Sequence, residues 1–150
     1  DTITPVDSTL IPTGKFADVT GTPFDFRKPT PIGARINAPD PVLQYGPGYD
    51  HNWVINKPLG QLGLMAQVEE PASGRVMQVW SDQPGLQFYA GNFLDGTIVG
   101  KGGAVYQRRS AFCMEPQHYP DSPNHPNFPT TELKPGETYH NTIIYKFSVE

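Results

Sequence analysis

The chain has little charge, one cysteine and no long apolar run, and each shortage excludes something. Lys and Arg number 11 against 15 Asp and Glu, so charged residues make up 17% of the 150 and the net charge is −4. That balance argues against a basic nucleic-acid surface, while 37% hydrophobic content is too much for a chain kept disordered by its charge. No stretch approaches the roughly 18 apolar residues of a membrane span. The first residues, Asp1 to Pro5, also lack the layout of a signal peptide. Neither nucleic acid nor a membrane is expected as a partner. Cys113 stands alone, which excludes an internal disulfide, and no Asn-x-Ser/Thr sequon occurs. Those two facts lean towards a cytoplasmic protein, although a removed leader leaves no trace. Phosphate-loop, Gly-x-Ser-x-Gly and Cys-x-x-Cys motifs are absent as well.

Glycine and proline are plentiful. With 15 and 17 copies they fill about a fifth of the chain, against about 12% in average usage. Proline removes an amide donor and clashes inside helices, so this density argues against an all-helical protein. Period-two alternation recurs instead. In Leu62–Glu69 it puts Leu62, Leu64, Ala66 and Val68 on one face; Arg75–Ser81 is a short β-type run. Gly85–Asn92 sets Leu86, Phe88 and Ala90 against Gln87 and Tyr89. Ala104–Arg108 and Ser110–Glu115 read as further strands, and Tyr139–Ser148 alternates near the end. Turn signals separate the runs, among them Lys134-Pro135-Gly136-Glu137, which predicts a type II turn. Lys28–Gly48 and Glu115–Pro129 read as long ordered loops. The expectation is one all-β unit built as an antiparallel β-sandwich, with little helix.

Three stretches are richer in polar and aromatic groups than a core or plain loop requires. In Tyr49-Asp50-His51-Asn52-Trp53, after Gly46-Pro47-Gly48, Asp50 ends a loop that can approach a ligand closely and accept hydroxyl hydrogen bonds. An Asx turn at Asp50 and an ordinary core-edge histidine at 51 account for the same residues. In Gln83–Asn92, Gln87 and Tyr89 offer an amide and a phenol beside an aromatic plane, the mixture that sugars need, but also that of a half-exposed strand. In Phe112–Pro129, Glu115 follows an apolar strand and precedes a proline-stiffened loop. Partial desolvation there would make it a better base near neutrality. Glu115, His118, Asp121 and His125 also suggest a metal site, but no helix aligns them, and no metal is expected. Cys113, within an apolar run, reads as a buried structural thiol.

Those residues make the chain recognisable. It resembles the aldose 1-epimerases (galactose mutarotases) through an ordered set of segments. These are Leu10-Ile11-Pro12-Thr13-Gly14, Gly21–Arg27, Tyr49-Asp50-His51-Asn52, Ser73-Gly74-Arg75, Gln83–Asn92, Phe112–Pro129 and Leu133–Glu137. The resemblance implies a supersandwich fold that binds free hexoses such as glucose and galactose in an open cleft and interconverts their α and β anomers. By motif it implies Glu115 as the catalytic base, in Glu115-Pro116-Gln117, with Asp50 and Gln87 as substrate ligands. No cofactor is implied. Residues 1–150 match only the C-terminal half of the family domain. The upstream Asn-His-x-Tyr-Phe-Asn motif, whose histidine acts as general acid, is not in the sequence, and none of His51, His118, His125 or His140 lies in a matching context. A separate N-terminal chain carrying that histidine is therefore the expected partner, across a mostly apolar interface. Three other readings stay open: a sugar-binding or regulatory domain without turnover, a glycoside hydrolase using Asp50 and Glu115 as its carboxylate pair, and a hexose-6-phosphate epimerase.

Overall fold

A computed structural model describes all 150 residues. Eight strands form two sheets, and every strand pairing is antiparallel. The strands are β1 (Thr2–Thr4), β2 (Ala17–Asp18), β3 (Asp50–Val54), β4 (Gly63–Glu70), β5 (Arg75–Ser81), β6 (Gly85–Tyr89), β7 (Cys113–Gln117) and β8 (Ile143–Val149). A five-stranded sheet runs β2-β1-β3-β6-β7 and a three-stranded sheet runs β4-β5-β8. The only α-helix is α1, Pro41–Tyr45, and no helix is long and apolar enough to cross a membrane. Proline and glycine at this density leave little room for anything else.

The five-stranded sheet separates two kinds of side chain. Strand pleating sends alternate residues to opposite faces. One face carries Ile3, His51, Trp53, Leu86 and Phe88, in register across β1, β3 and β6. The segment from Val19 to Tyr49 lies over it, and the core forms between them from Ile3, Val19, Phe24, Ile36, Leu43, Tyr49, Phe88 and Ala90. The covering segment is tied down by polar anchors. Asp40 caps α1 by accepting from Val42 N at 2.9 Å and Leu43 N at 3.2 Å, with Pro41 at the first helical position. Tyr49 Oη donates to Pro23 O and Trp53 Nε1 to Phe24 O, each at 2.9 Å. Lys28–Gly48 is thus an ordered loop, as expected, holding a 3-10 turn at Ile32–Ala34 and the short helix α1. The opposite face carries Thr4, Asp50, Asn52, Gln87 and Glu115.

Several strands depart from the alternation. Residue 65 bulges out of β4, because Leu64 pairs with Trp80 while Ala66 pairs with Val79. The extra residue reverses the faces, so Leu64 does not share a side with Ala66 and Val68. Ala104–Arg108 is not a strand: Val105 makes one isolated bridge to Val99 around the Gly102-Gly103 turn. The expected Ser110–Glu115 strand is displaced to Cys113–Gln117, because Arg109 adopts φ 61° and Ser110 N closes a turn on Gln107 O. β6 ends at Tyr89, since Leu94 N turns back to Gly91 O. The last strand begins at Ile143, not Tyr139. The Lys134–Glu137 turn forms as expected: Glu137 N donates to Lys134 O at 3.0 Å and Gly136 takes φ 88°, a value that suits glycine.

Candidate active site

Asp50 sits on a strand rather than at the tip of a loop. β3 is the middle strand of the five-stranded sheet, and the Gly46-Pro47-Gly48 turn feeds it. Gly48 holds φ 138°, and a Cβ there would collide with Asn92 Oδ1, so only glycine lets Asn92 close on this turn. Asn92 Nδ2 donates to Tyr49 O at 2.8 Å and fixes the entry to β3.

β3, β6 and β7 lie side by side, and their register brings the three expected residues to one face. Gln87 lies opposite Asn52 on one side and Glu115 on the other, and Tyr89 lies opposite Asp50. Gln87 Nε2 donates to Asp50 Oδ1 at 2.8 Å. The Asp50 carboxylate therefore takes a cross-strand partner instead of making an Asx turn. Gln87 Oε1 and Asn52 Oδ1 are both buried without a donor. Asn52 itself is held by Nδ2, which donates to Thr4 Oγ1 at 3.2 Å. On the same face the half-buried Asp50 carboxylate accepts only from Gln87, and a polyhydroxylated ligand supplies further donors. Asn52 was not among the residues singled out from sequence. Its signal was its place two residues after Asp50, hence on the same face of a strand, which becomes visible only once the segment is known to be β3. A cavity of about 90 Å3 opens on Thr4, Asp50, Asn52 and Gln87.

Glu115 differs from its neighbours. It is exposed, so the partial desolvation expected from sequence is absent. β7 is an edge strand of its sheet. Cys113 lies on the same face and is also exposed, which corrects the expectation of a buried thiol; its strand turns the thiol away from the core. Tyr89 keeps its ring at the rim, stacked 6.2 Å from Phe93, and its Oη accepts from Phe93 N at 3.0 Å.

Two of the four histidines are committed elsewhere. His51 is completely buried on the apolar face, 4.8 Å from the Phe24 ring. Its Nδ1 accepts from Asp50 N at 3.0 Å and its Nε2 donates to Val42 O at 3.1 Å, so both nitrogens are used and the ring is neutral. Burial pushes its pKa below the ordinary 6.5. His125 Nε2 lies 3.1 Å from both Asp121 Oδ2 and Pro12 O. Glu115 and His118 do not join that pair, and no three His, Cys, Asp or Glu side chains converge.

Residues 1–146 match the family model for aldose 1-epimerase. The chain is 51% identical to human galactose mutarotase over 149 residues, covering 99% of this chain and 42% of that protein. It is 35% identical to the aldose 1-epimerase of Escherichia coli K12 over 152 residues, covering 100% of this chain and 43% of that one. Among solved structures, an aldose epimerase homologue from C. elegans superposes with a TM-score of 0.84 at 32% identity, and galactose 1-epimerase from Lactobacillus acidophilus with 0.82 at 28%. These cover 99% of this chain and 43% and 42% of theirs. The chain therefore spans less than half the length of these relatives and corresponds to their C-terminal half. With its two antiparallel sheets and this ordered match along almost every residue, the chain belongs to the aldose 1-epimerase family.

Proposed function

We propose that this chain is the base-bearing, sugar-holding part of a mutarotase acting on free hexoses such as glucose and galactose. The observation that carries the reading is the convergence of Asp50, Gln87 and Glu115 on one face of β3, β6 and β7, with Gln87 joined to Asp50 at 2.8 Å. Asp50 and Gln87 accept hydrogen bonds from ring hydroxyls and fix the pyranose. Glu115 takes the proton of the C1 hydroxyl as the bond from C1 to the ring oxygen breaks, and the ring oxygen gains a proton. The open aldehyde turns about C1–C2, and the ring oxygen closes on the opposite carbonyl face, giving its proton back to the acid that supplied it, as Glu115 returns its own proton to the C1 oxygen. Protons balance over the cycle.

The histidine that the resemblance assigns as the acid for the ring oxygen is not in this sequence, and His51 cannot stand in for it, because both its nitrogens are occupied in the core. A polypeptide corresponding to the rest of the family fold supplies that acid, covers Glu115 and raises its basicity by excluding water. The exposed apolar residues of β8 support such a cover. The exposure of Glu115 in the chain by itself favours one other reading, a domain that binds hexose without turnover. Polarimetry on freshly dissolved α-glucose separates the two. A positioned base is worth about 10² to 10⁴ in rate, so Glu115→Gln should slow catalysed mutarotation by that order while hexose binding persists. A Glu115→Gln rate equal to wild type removes the base assignment, and hexose binding with no wild-type catalysis, even when the rest of the family fold is supplied, leaves the binding domain.

A further inference from the structure

The cavity beside Asp50 and Gln87 has an apolar wall. It holds about 90 Å3, against the roughly 300–1,000 Å3 of sites that enclose a whole ligand, so it receives one end of a ring rather than all of it. Thr4, Asp50, Asn52 and Gln87 form its polar side, and Val6, Leu10 and Pro12 face them. A closed loop puts Leu10 there. Val6 bridges Pro12, Asp7 N donates to Ile11 O at 2.9 Å and Leu10 N donates to Asp7 O at 3.0 Å. The Asp7 carboxylate accepts from Thr9 N at 2.8 Å and Thr9 Oγ1 at 2.6 Å, which locks the loop from inside.

Leu10 is held in the left-handed region, with φ 66°. A leucine there costs energy that glycine or asparagine largely escapes. The cost is not repaid in the core, because Leu10 is only half-buried and stands outside the central cluster. Its methyl reaches the corner where β3 begins: a Cβ placed on Gly46 would lie 3.6 Å from both Leu10 Cδ2 and Asp50 Cβ. A strained, half-exposed leucine beside a carboxylate that binds hydroxyls is placed to meet the C–H surface of the same ligand.

We infer that Leu10 is a specificity-determining residue: it closes the cavity against the end of the sugar ring that Asp50 and Gln87 hold, and limits the substituent allowed there. The inference rests on the sugar-holding role of Asp50 and Gln87. Leu10→Gly and Leu10→Asn both tolerate the loop's backbone and remove the wall. Ligand-observed NMR titration of the intact protein would use D-galactose and its four single methyl ethers, at O2, O3, O4 and O6. Loss of the leucine contact should weaken galactose binding by about 5- to 30-fold, and one ether that wild type rejects should bind Leu10→Gly at least as well as galactose does. Unchanged affinities for galactose and every ether, with only the unfolding midpoint moved, would reduce Leu10 to a structural part of its loop and overturn the inference. Failure of wild type to bind any hexose would instead strike the reading of Asp50 and Gln87 on which it stands.

Discussion

The two sheets of this chain share one sequence pattern and meet opposite fates. In the five-stranded sheet, the apolar face is roofed by Val19–Tyr49, and Leu43, Tyr49 and His51 are sealed from solvent. In the three-stranded sheet, β8 pairs with β5 along all seven of its residues, yet every one of the seven is exposed. Phe147 keeps 71% and Val149 74% of their possible surface. Hydrogen bonding alone orders a strand, and covering it is a separate matter that depends on chain elsewhere. Burial also varies along the opposite, polar face of the five-stranded sheet: Asp50 and Gln87 lie on the central strands β3 and β6, half-buried and bonded to each other, whereas Glu115 lies on the edge strand in the open.

The largest effect should therefore come from the roof. Leu43 sits on α1 with 1% of its surface exposed and packs into the central cluster. Leu43→Ala removes buried methyl groups and leaves a cavity, which should cost about 2–5 kcal/mol in urea unfolding. A cost below about 1 kcal/mol would mean that the Val19–Tyr49 segment does not seal the sheet.

How much of this was legible beforehand follows the same division. Strand β5 falls on the residues its β-type run names, Arg75–Ser81, and β6 starts where it should, because their partners lie within this chain and no residue of either strand bulges out of its ladder. The sequence predicts no strand over β3 and places only Asp50, at the end of a loop. Asp50 and Asn52 take the polar face while His51, itself polar, and Trp53 take the core face, so Asp-His-Asn-Trp shows no simple strand composition, and β1 and β2 are too short to show any. The bulge at Met65 and the left-handed Arg109 are backbone events that a count of alternating residues does not register. Asp50, Gln87 and Glu115 are singled out by family motif, and the register sets the three on one face. The exposure of Glu115 and Cys113 could not be read, because a strand pattern says which face a residue takes and not what lies over that face.

A smaller effect separates the faces by pH. His51 is neutral in the folded chain, and burial keeps its pKa below the 6.5 of an exposed imidazole. The unfolded state thus binds more protons in the window just below 6.5, and stability falls as pH falls through it. His118 shifts in the same direction for the same reason and contributes alongside. The urea midpoint should therefore drop between about pH 7.5 and pH 5, and His118→Asn should remove only part of the slope. A midpoint that rises on acidification would contradict the sealed, neutral His51.

The smallest effect is the most instructive, because its size depends on what lies over β8. Phe147→Ala deletes a ring that touches mostly water, so in the chain by itself the stability change should stay within about 0.5 kcal/mol. Pairing with Met77 across the strand survives, since backbone bonds hold the register. If the rest of the family fold covers this sheet, the same ring becomes a core residue, and the same substitution should then cost about 3–5 kcal/mol in the completed protein. The contrast between the two measurements, more than either value, reports on the cover. Near-neutral behaviour in both would leave the apolar face of β8 open to solvent for good, and with it the expectation that one added polypeptide both buries this sheet and encloses Glu115.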